Sequence, residues 1–380
     1  MNYEKTKKSY LDYVNEINPI GFELKAQREK NGLTLAAISY DIISTSYLCK
    51  AENNQAVLKG KYVKDICKRL SIDESKLLYI NDSKEKIEKA ILAYLLDDVS
   101  TLYDLVEEGN GLLNYVYRLI KILYYLKKDM LSDATVELKE IEGCINSINA
   151  YDLKYIVAVA IAYDFKTSRL DRAYTGVKAL EEMEPTKLLD LFNHYLCFKI
   201  FLIWNNPKLA EILDFFKYNP YARSLSYLYA KIQYYYEFSC IKASKDYEID
   251  LLPLSDYPEF VRNLRIFKDY RNKKFTHKPN SKTPIFLCLL YKQGIGADIK
   301  EDLAKLDGLI LNIDYSKLYL EYLVLPEELK LDFLMQEAIP YVNNTKSDYL
   351  KRFFMEEAIS LAEKYKRYKL VYQIYLSLFN

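Results

Sequence analysis

Residues 32–54 read GLTLAAISYDIISTSYLCKAENN, and the folding of this stretch decides how the whole chain is read. Thr34 stands directly before the apolar-periodic run Leu35 to Tyr40, in which Leu35 and Ile38 are spaced i, i+3, so it predicts an N-cap and a short helix. A tight turn through Asp41 and Ile42 leads to Ser44-Thr45-Ser46, whose hydroxyls predict the next cap. Tyr47 to Glu52 then turns Leu48 and Ala51 inward. Asn53-Asn54 ends it, asparagine being the commonest non-glycine residue in the left-handed conformation. Two short helices across such a turn form the helix-turn-helix arrangement, whose second helix lies in the DNA major groove. Its exposed edge is predicted to carry Thr45, Ser46, Tyr47 and Lys50, hydroxyl groups and one cation able to meet base edges and phosphates.

Working outward, Gly21 to Lys30 predicts a preceding helix with Phe22, Leu24 and Ala26 apolar and Asn31-Gly32 as its stop. Tyr62 to Leu70 and Glu74 to Tyr79 complete a predicted bundle of five short helices over residues 20–80. The first 80 residues hold 13 Lys/Arg and 10 Asp/Glu, leaving 41 and 43 for the rest, so a modest positive excess lies on this segment.

The quoted stretch resembles the Xre/Cro-type helix-turn-helix pattern at Gly32, Leu33, Thr34, Ile38, Ser39, Ser46, Leu48, Lys50, Glu52 and Asn53. Its turn between Ser39 and Ser44 is one residue shorter than in most phage repressors, which is similar to the RRNPP family of peptide-pheromone receptors, among them the PlcR, Rgg and PrgX types and the arbitrium receptors of phages. Three positions depart from the pattern. Leu35 stands where a phosphate-contacting Gln is usual, Cys49 replaces a small Ser, and Asn54 replaces the capping Gly. The resemblance implies a DNA-binding domain followed by degenerate tetratricopeptide repeats, with Thr34, Ser44, Thr45, Ser46, Tyr47, Lys50 and Asn54 at the DNA.

From Ser83 onward the pattern is of amphipathic helices with short polar breaks, hardly a Gly or Pro falling inside one. Single helices are predicted over 84–107, 221–242 and 326–342, among others. An aromatic precedes a small residue by nine positions at Tyr125/Ala134 and Phe201/Ala210 and by ten at Tyr163/Ala173, with Pro185 twelve beyond Ala173. These alanines lie 39 and 37 residues apart, a degenerate version of the spacing in tetratricopeptide repeats. Helix pairs in series form a concave face suited to an extended peptide. Of the 38 tyrosines, 31 follow residue 80, and Tyr offers a flat contact with a hydrogen-bonding tip. The candidate peptide-binding residues are Asn114, Tyr117, Tyr163, Asn193, Arg223, Tyr227, Tyr234 and Arg262, the asparagines for the peptide backbone and the arginines for a terminal carboxylate. Asn205 and Arg265 belong to the same two sets. Lys268 to Pro284 predicts an exposed basic loop, and the apolar strip Val371, Ile374, Tyr375, Leu378 and Phe379 predicts either a dimer contact or a terminal cap.

Composition bounds the remaining classes. A chain of 380 residues with 54 basic and 53 acidic side chains is not polybasic as a whole, and 20 Gly plus Pro argue for helix. Six scattered cysteines and two histidines predict reduced thiols in a cytoplasmic protein, with neither a metal site nor a disulfide scaffold. No phosphate loop, nucleophile elbow or HExxH pair is present, so no catalytic residue and no cofactor is expected. Apolar runs are too short for a membrane span.

The sequence thus predicts an all-α protein: an N-terminal extension over 1–19, a DNA-binding domain over 20–80, and an α-solenoid of helical hairpins over 84–380. The expected partners are double-stranded operator DNA, a short signalling peptide and a second copy of the chain, since two half-sites multiply affinity. The competing reading, of the Rap type, is an interaction module that sequesters a regulator through its repeats and carries a vestigial helix-turn-helix.

Overall fold

Among the described residues, few helices are ended by glycine. The computed structural model describes residues 1–11, 20–53, 55–56, 58, 60–73, 81–110, 114–145, 148, 152–204, 206–244, 246–304, 317–345 and 348–378, and every element described is helical. The backbone folds into two compact units, Met1–Cys197 and Phe198–Asn380. In both, helices close with a residue in the left-handed region whose successor donates its N–H five residues back, the Schellman arrangement. Asp97, Asp129 and Ser168 have φ of 57° to 59°, and the N–H groups of Asp98, Met130 and Arg169 return to the carbonyls of Ala93, Tyr125 and Asp164 at 2.8 to 2.9 Å. Lys273 and Lys366 repeat the device in the second unit. The position calls for glycine and is filled by Asp, Ser and Lys, which is why no glycine marks these turns in the sequence.

The first unit opens with α1 (Tyr3–Leu11), then a bundle of α2 (Gly21–Lys30), α3 (Leu35–Ser39), α4 (Thr45–Glu52) and α5 (Gly60–Leu70). Leu24, Ile38, Leu48, Ala51, Ile66 and Leu70 form the centre of the bundle's own core. The fifth helix predicted over 74–79 lies outside the described residues. There follow α6 (Asn81–Leu95), α7 (Val99–Glu108), α8 (Tyr115–Lys127), α9 (Leu131–Gly143), α10 (Leu153–Lys166), α11 (Leu170–Glu181) and α12 (Lys187–Trp204), in which the division between units falls. The pairs α8/α9 and α10/α11 are tightly packed hairpins. Ala134 and Ala173, each on the second helix of its pair, are fully buried, while Ala210 is exposed, so two of the three repeat alanines occupy close-packed positions.

The predicted helix over 84–107 is two helices. Asp98 caps α7 by accepting from the Thr101 N–H at 3.0 Å and from the Ser100 and Thr101 hydroxyls at 2.7 and 2.6 Å. Those hydrogen bonds, the Thr101 hydroxyl foremost, hold its carboxyl down at about 2. Residues 1–11 are also more than an extension. α1 packs on α10 and α11, where the Tyr3 hydroxyl donates to buried Asp164 at 2.7 Å and its ring fills the space that a side chain at Gly176 would need. The Met1 ammonium pairs with Glu142 and Lys7 with Glu182 at 3.1 Å.

The second unit contains α13 (Leu209–Tyr218), α14 (Pro220–Ser224), α15 (Ser226–Ala243), α16 (Pro258–Asn272), α17 (Ile285–Gly294), α18 (Lys300–Ala304), α19 (Lys317–Val324), α20 (Glu327–Phe333), α21 (Ile339–Thr345), α22 (Asp348–Lys364) and α23 (Tyr368–Leu378). The predicted 221–242 helix breaks at Leu225, and the 326–342 helix contains one π turn over Leu334–Ala338. Phe238 stacks on Phe267 at 4.0 Å at the centre of the core. The basic loop after α16 is organised by Asp269, which accepts from the Thr276 hydroxyl, the His277 N–H and the His277 ring. Of the C-terminal strip, Ile374 is 3% exposed inside this core and Val371 packs on it, the cap alternative rather than a free face for these two. Phe379 lies outside the described residues. No described helix is long and apolar enough to cross a membrane.

Candidate nucleic-acid interface

The sequence 34–52 folds as two capped helices whose ends are tied to one another. The Thr34 hydroxyl accepts from the Ala37 N–H at 3.1 Å and starts α3; the Ser44 hydroxyl accepts from the Tyr47 N–H at 3.2 Å and starts α4. Between them Asp41 enters the left-handed region at φ 53°, and the N–H groups of Ile42 and Ile43 both return to the Ser39 carbonyl at 3.0 Å. The Ser39 and Thr45 hydroxyls share a hydrogen bond of 3.0 Å across the turn, which fixes the start of α4 against the end of α3.

Two arginines hold this element in the bundle. Arg28 of α2 reaches the far end of α4 and donates through Nε and Nη2 to both oxygens of Glu52, 2.8 Å each, while its Nη1 donates to the Leu33 carbonyl at 3.1 Å. Glu52 is nearly sealed from solvent, and hydrogen bonding to it raises Arg28 further above its already high value. From α5, Arg69 donates to the carbonyls of Ile38, at 3.2 Å, and Tyr40, closing the open C-terminus of α3.

What this scaffold presents follows from helical geometry. Leu48, Ala51 and Glu52 are buried on one arc of α4, so Thr45, Ser46 and Lys50 are exposed on the other, with Cys49 half-buried at its margin. Of the predicted contacts, Thr34, Ser44, Thr45, Ser46 and Lys50 lie in the open. Tyr47 is half-buried, its ring edge-on to Tyr62 at 6.5 Å between centroids. Asn54 lies outside the described residues. Leu35, at the position of the usual Gln, packs on the bundle core and is thereby withdrawn from the surface role of that residue. One exposed group was not foreseen: Tyr40, in the turn, is 74% exposed.

No family model, curated protein or solved structure matches this chain.

The predicted peptide-binding residues divide by burial. Asn114 is 1% exposed and caps α8, its Oδ1 accepting from the Val116 N–H at 2.8 Å. Tyr117 is buried against Gly109, with its hydroxyl accepting from Lys86 at 2.8 Å. Tyr163 is buried with its hydroxyl 2.7 Å from that of Thr135, and Asn193 is buried with its amide donating to the Val177 carbonyl at 3.1 Å. Tyr234 is buried and stacks on Phe260 at 4.8 Å. These five are packing residues and caps rather than groove walls: an aromatic ring gains most from burial and its hydroxyl needs only one partner inside. Arg223 and Arg262 are exposed, on α14 and α16. Tyr227 is half-buried against Tyr257 and Phe260, at 5.8 and 5.7 Å. Asn205 lies outside the described residues.

Proposed function

We propose that this chain is a DNA-binding transcription regulator in which α3 and α4 act as a helix-turn-helix, α4 being the helix that enters the major groove. The observation that carries the reading is the exposed arc of Thr45, Ser46 and Lys50 at the start and along one side of a helix whose other arc is locked by Arg28 and Glu52. Small hydroxyls and a cation, held rigidly at a helix N-terminus, suit phosphate and base-edge contacts.

The remaining helices, paired in part as hairpins with buried alanines, are proposed as a degenerate tetratricopeptide-like effector domain for a short signalling peptide. The exposed Arg223 and Arg262 and the half-buried Tyr227 are the candidates left for its carboxylate and side chains. The working form is proposed to be a cytoplasmic homodimer, with the peptide shifting operator affinity by binding its DNA-competent and incompetent states unequally.

The test is an electrophoretic mobility assay of the full chain on the DNA upstream of its own gene. Wild type is expected to form a discrete complex that Lys50→Ala and Ser46→Ala weaken. Equal retention of that DNA and unrelated DNA by all three proteins would sink the reading.

A further inference from the structure

A cleft of about 410 Å³ lies inside the first unit, between α2 and the α8/α9 hairpin. That is the size of a small-molecule site. Glu23, Ala26, Gln27 and Lys30 recur at i, i+3, i+4 and i+7 along α2 and line one wall, while Leu24 and Arg28 face the bundle. Arg118 of α8 and Lys139, Gly143 and Cys144 at the end of α9 line the other.

The unusual group is Glu23. It is 2% exposed, and neither carboxylate oxygen has a hydrogen-bond partner among the described residues. A buried carboxylate in that condition is costly, and native proteins rarely leave one unmet. The nearby cation does not meet it, because Arg118 is held by Glu137 at 2.7 Å and by Glu140. Phe22, Ala26 and Cys144 line the same cleft as Glu23 and supply its apolar part. An ammonium group is all donor and no acceptor, so it matches the two unmet oxygens of Glu23.

We propose that this cleft binds a small molecule carrying a protonated primary amine on a short apolar stem, with the Glu23 carboxylate as counter-ion. Burial pushes the Glu23 carboxyl up to about 8, opposed by its own backbone N–H and then by the field of Arg118, so binding an ammonium releases a proton from it. The other charged or titratable groups on the walls are Glu29, Lys30, Lys139, Glu140 and the Cys144 thiol, itself raised to about 11 by burial and then by Glu29. Tyr115 of α8, edge-on to Phe22 at 5.3 Å, stays protonated. The cleft is separate from the exposed arc of α4, but α2 also holds α4 through Arg28, so an occupant would stiffen the joint between the bundle and α8/α9.

Titration calorimetry of the full chain with n-butylamine, lysine and butyrate tests it. Saturable heat with both amines, or with one of them, and none with butyrate is expected, with proton release below pH 8. Tighter binding of lysine than of n-butylamine points to an amphoteric source, the reverse to a plain amine. Glu23→Gln should weaken the amine by about tenfold or more, the scale of a charge-assisted contact. Ala26→Trp, which fills the cleft from α2 and leaves Glu23 in place, should abolish binding and decides the matter where Glu23→Gln does not fold. Absence of saturable amine binding by wild type, equal binding of butyrate, or unchanged affinity in Ala26→Trp would overturn the proposal.

Discussion

Arg28 and Glu52 show what a single pair does for this fold. Their two hydrogen bonds of 2.8 Å join α2 to the end of α4 where little water reaches Glu52. Removing one partner of such a pair strands the other, so Arg28→Met is expected to lose about 3 kcal/mol in chemical denaturation. Glu23 behaves in the opposite way. Its folded carboxyl is raised by burial from 4.5 to about 8, so the folded chain holds a proton that the unfolded chain releases across that interval. Stability is therefore full below about pH 4.5 and falls as the pH rises toward 8. Glu23→Gln should flatten that slope and raise stability at pH 8 by about 2–4 kcal/mol, read from denaturation curves at several pH values. An unchanged slope would show that Glu23 ionises freely.

At the scale of elements, the legible ends were those with side-chain caps preceded by a turn. Thr34 and Ser44 cap where the sequence placed caps, and α2 starts at Gly21 and ends at Lys30 as its apolar spacing predicts. The ends that were not legible are those made by backbone alone. Asp97 splits what reads as one helix because the Asp98 N–H donates back to the Ala93 carbonyl while its carboxylate caps α7, and nothing in an apolar period signals a left-handed aspartate. The break at Leu225 was hidden for a similar reason, an apolar residue standing between two helices. Left-handed non-glycine residues carry strain, and Ser168 at φ 59° is one of them. Ser168→Gly is expected to gain about 0.5–1 kcal/mol, seen as a higher melting temperature, because relief of the strain exceeds the extra freedom of unfolded glycine. A lower melting temperature would place other interactions at that turn.

At the scale of the molecule, helical content and the absence of a long apolar span were readable from composition, but the part played by the first residues was not. MNYEKTKKSYL reads as a charged extension to a folded domain, yet the Tyr3 ring and Ile161 both pack over Gly176, and the Tyr3 hydroxyl reaches Asp164, more than 160 positions away in the chain. Only the tertiary fold could show that pairing. Tyr3→Phe should lower the stability of the unit Met1–Cys197 by about 1–2 kcal/mol, since it deprives a buried carboxylate of a donor. The burial of five of the eight candidate peptide residues was not legible for a related reason: a helical face rich in tyrosine reads the same in sequence whether it stands open or packs inside. The caps at Thr34 and Ser44 and the exposed arc of α4 were legible because they are local properties of α3 and α4.

α4 is proposed to read double-stranded DNA. The most direct test of this is fluorescence anisotropy of the full chain on a duplex selected from a random pool, titrated over a series of salt concentrations beside a scrambled duplex. Sequence-selective binding is expected, with Lys50→Ala weakening it and lowering the slope of log K against log salt by about one. Selection that yields no preferred sequence, or a Lys50→Ala protein whose affinity and salt slope equal those of wild type, would contradict it.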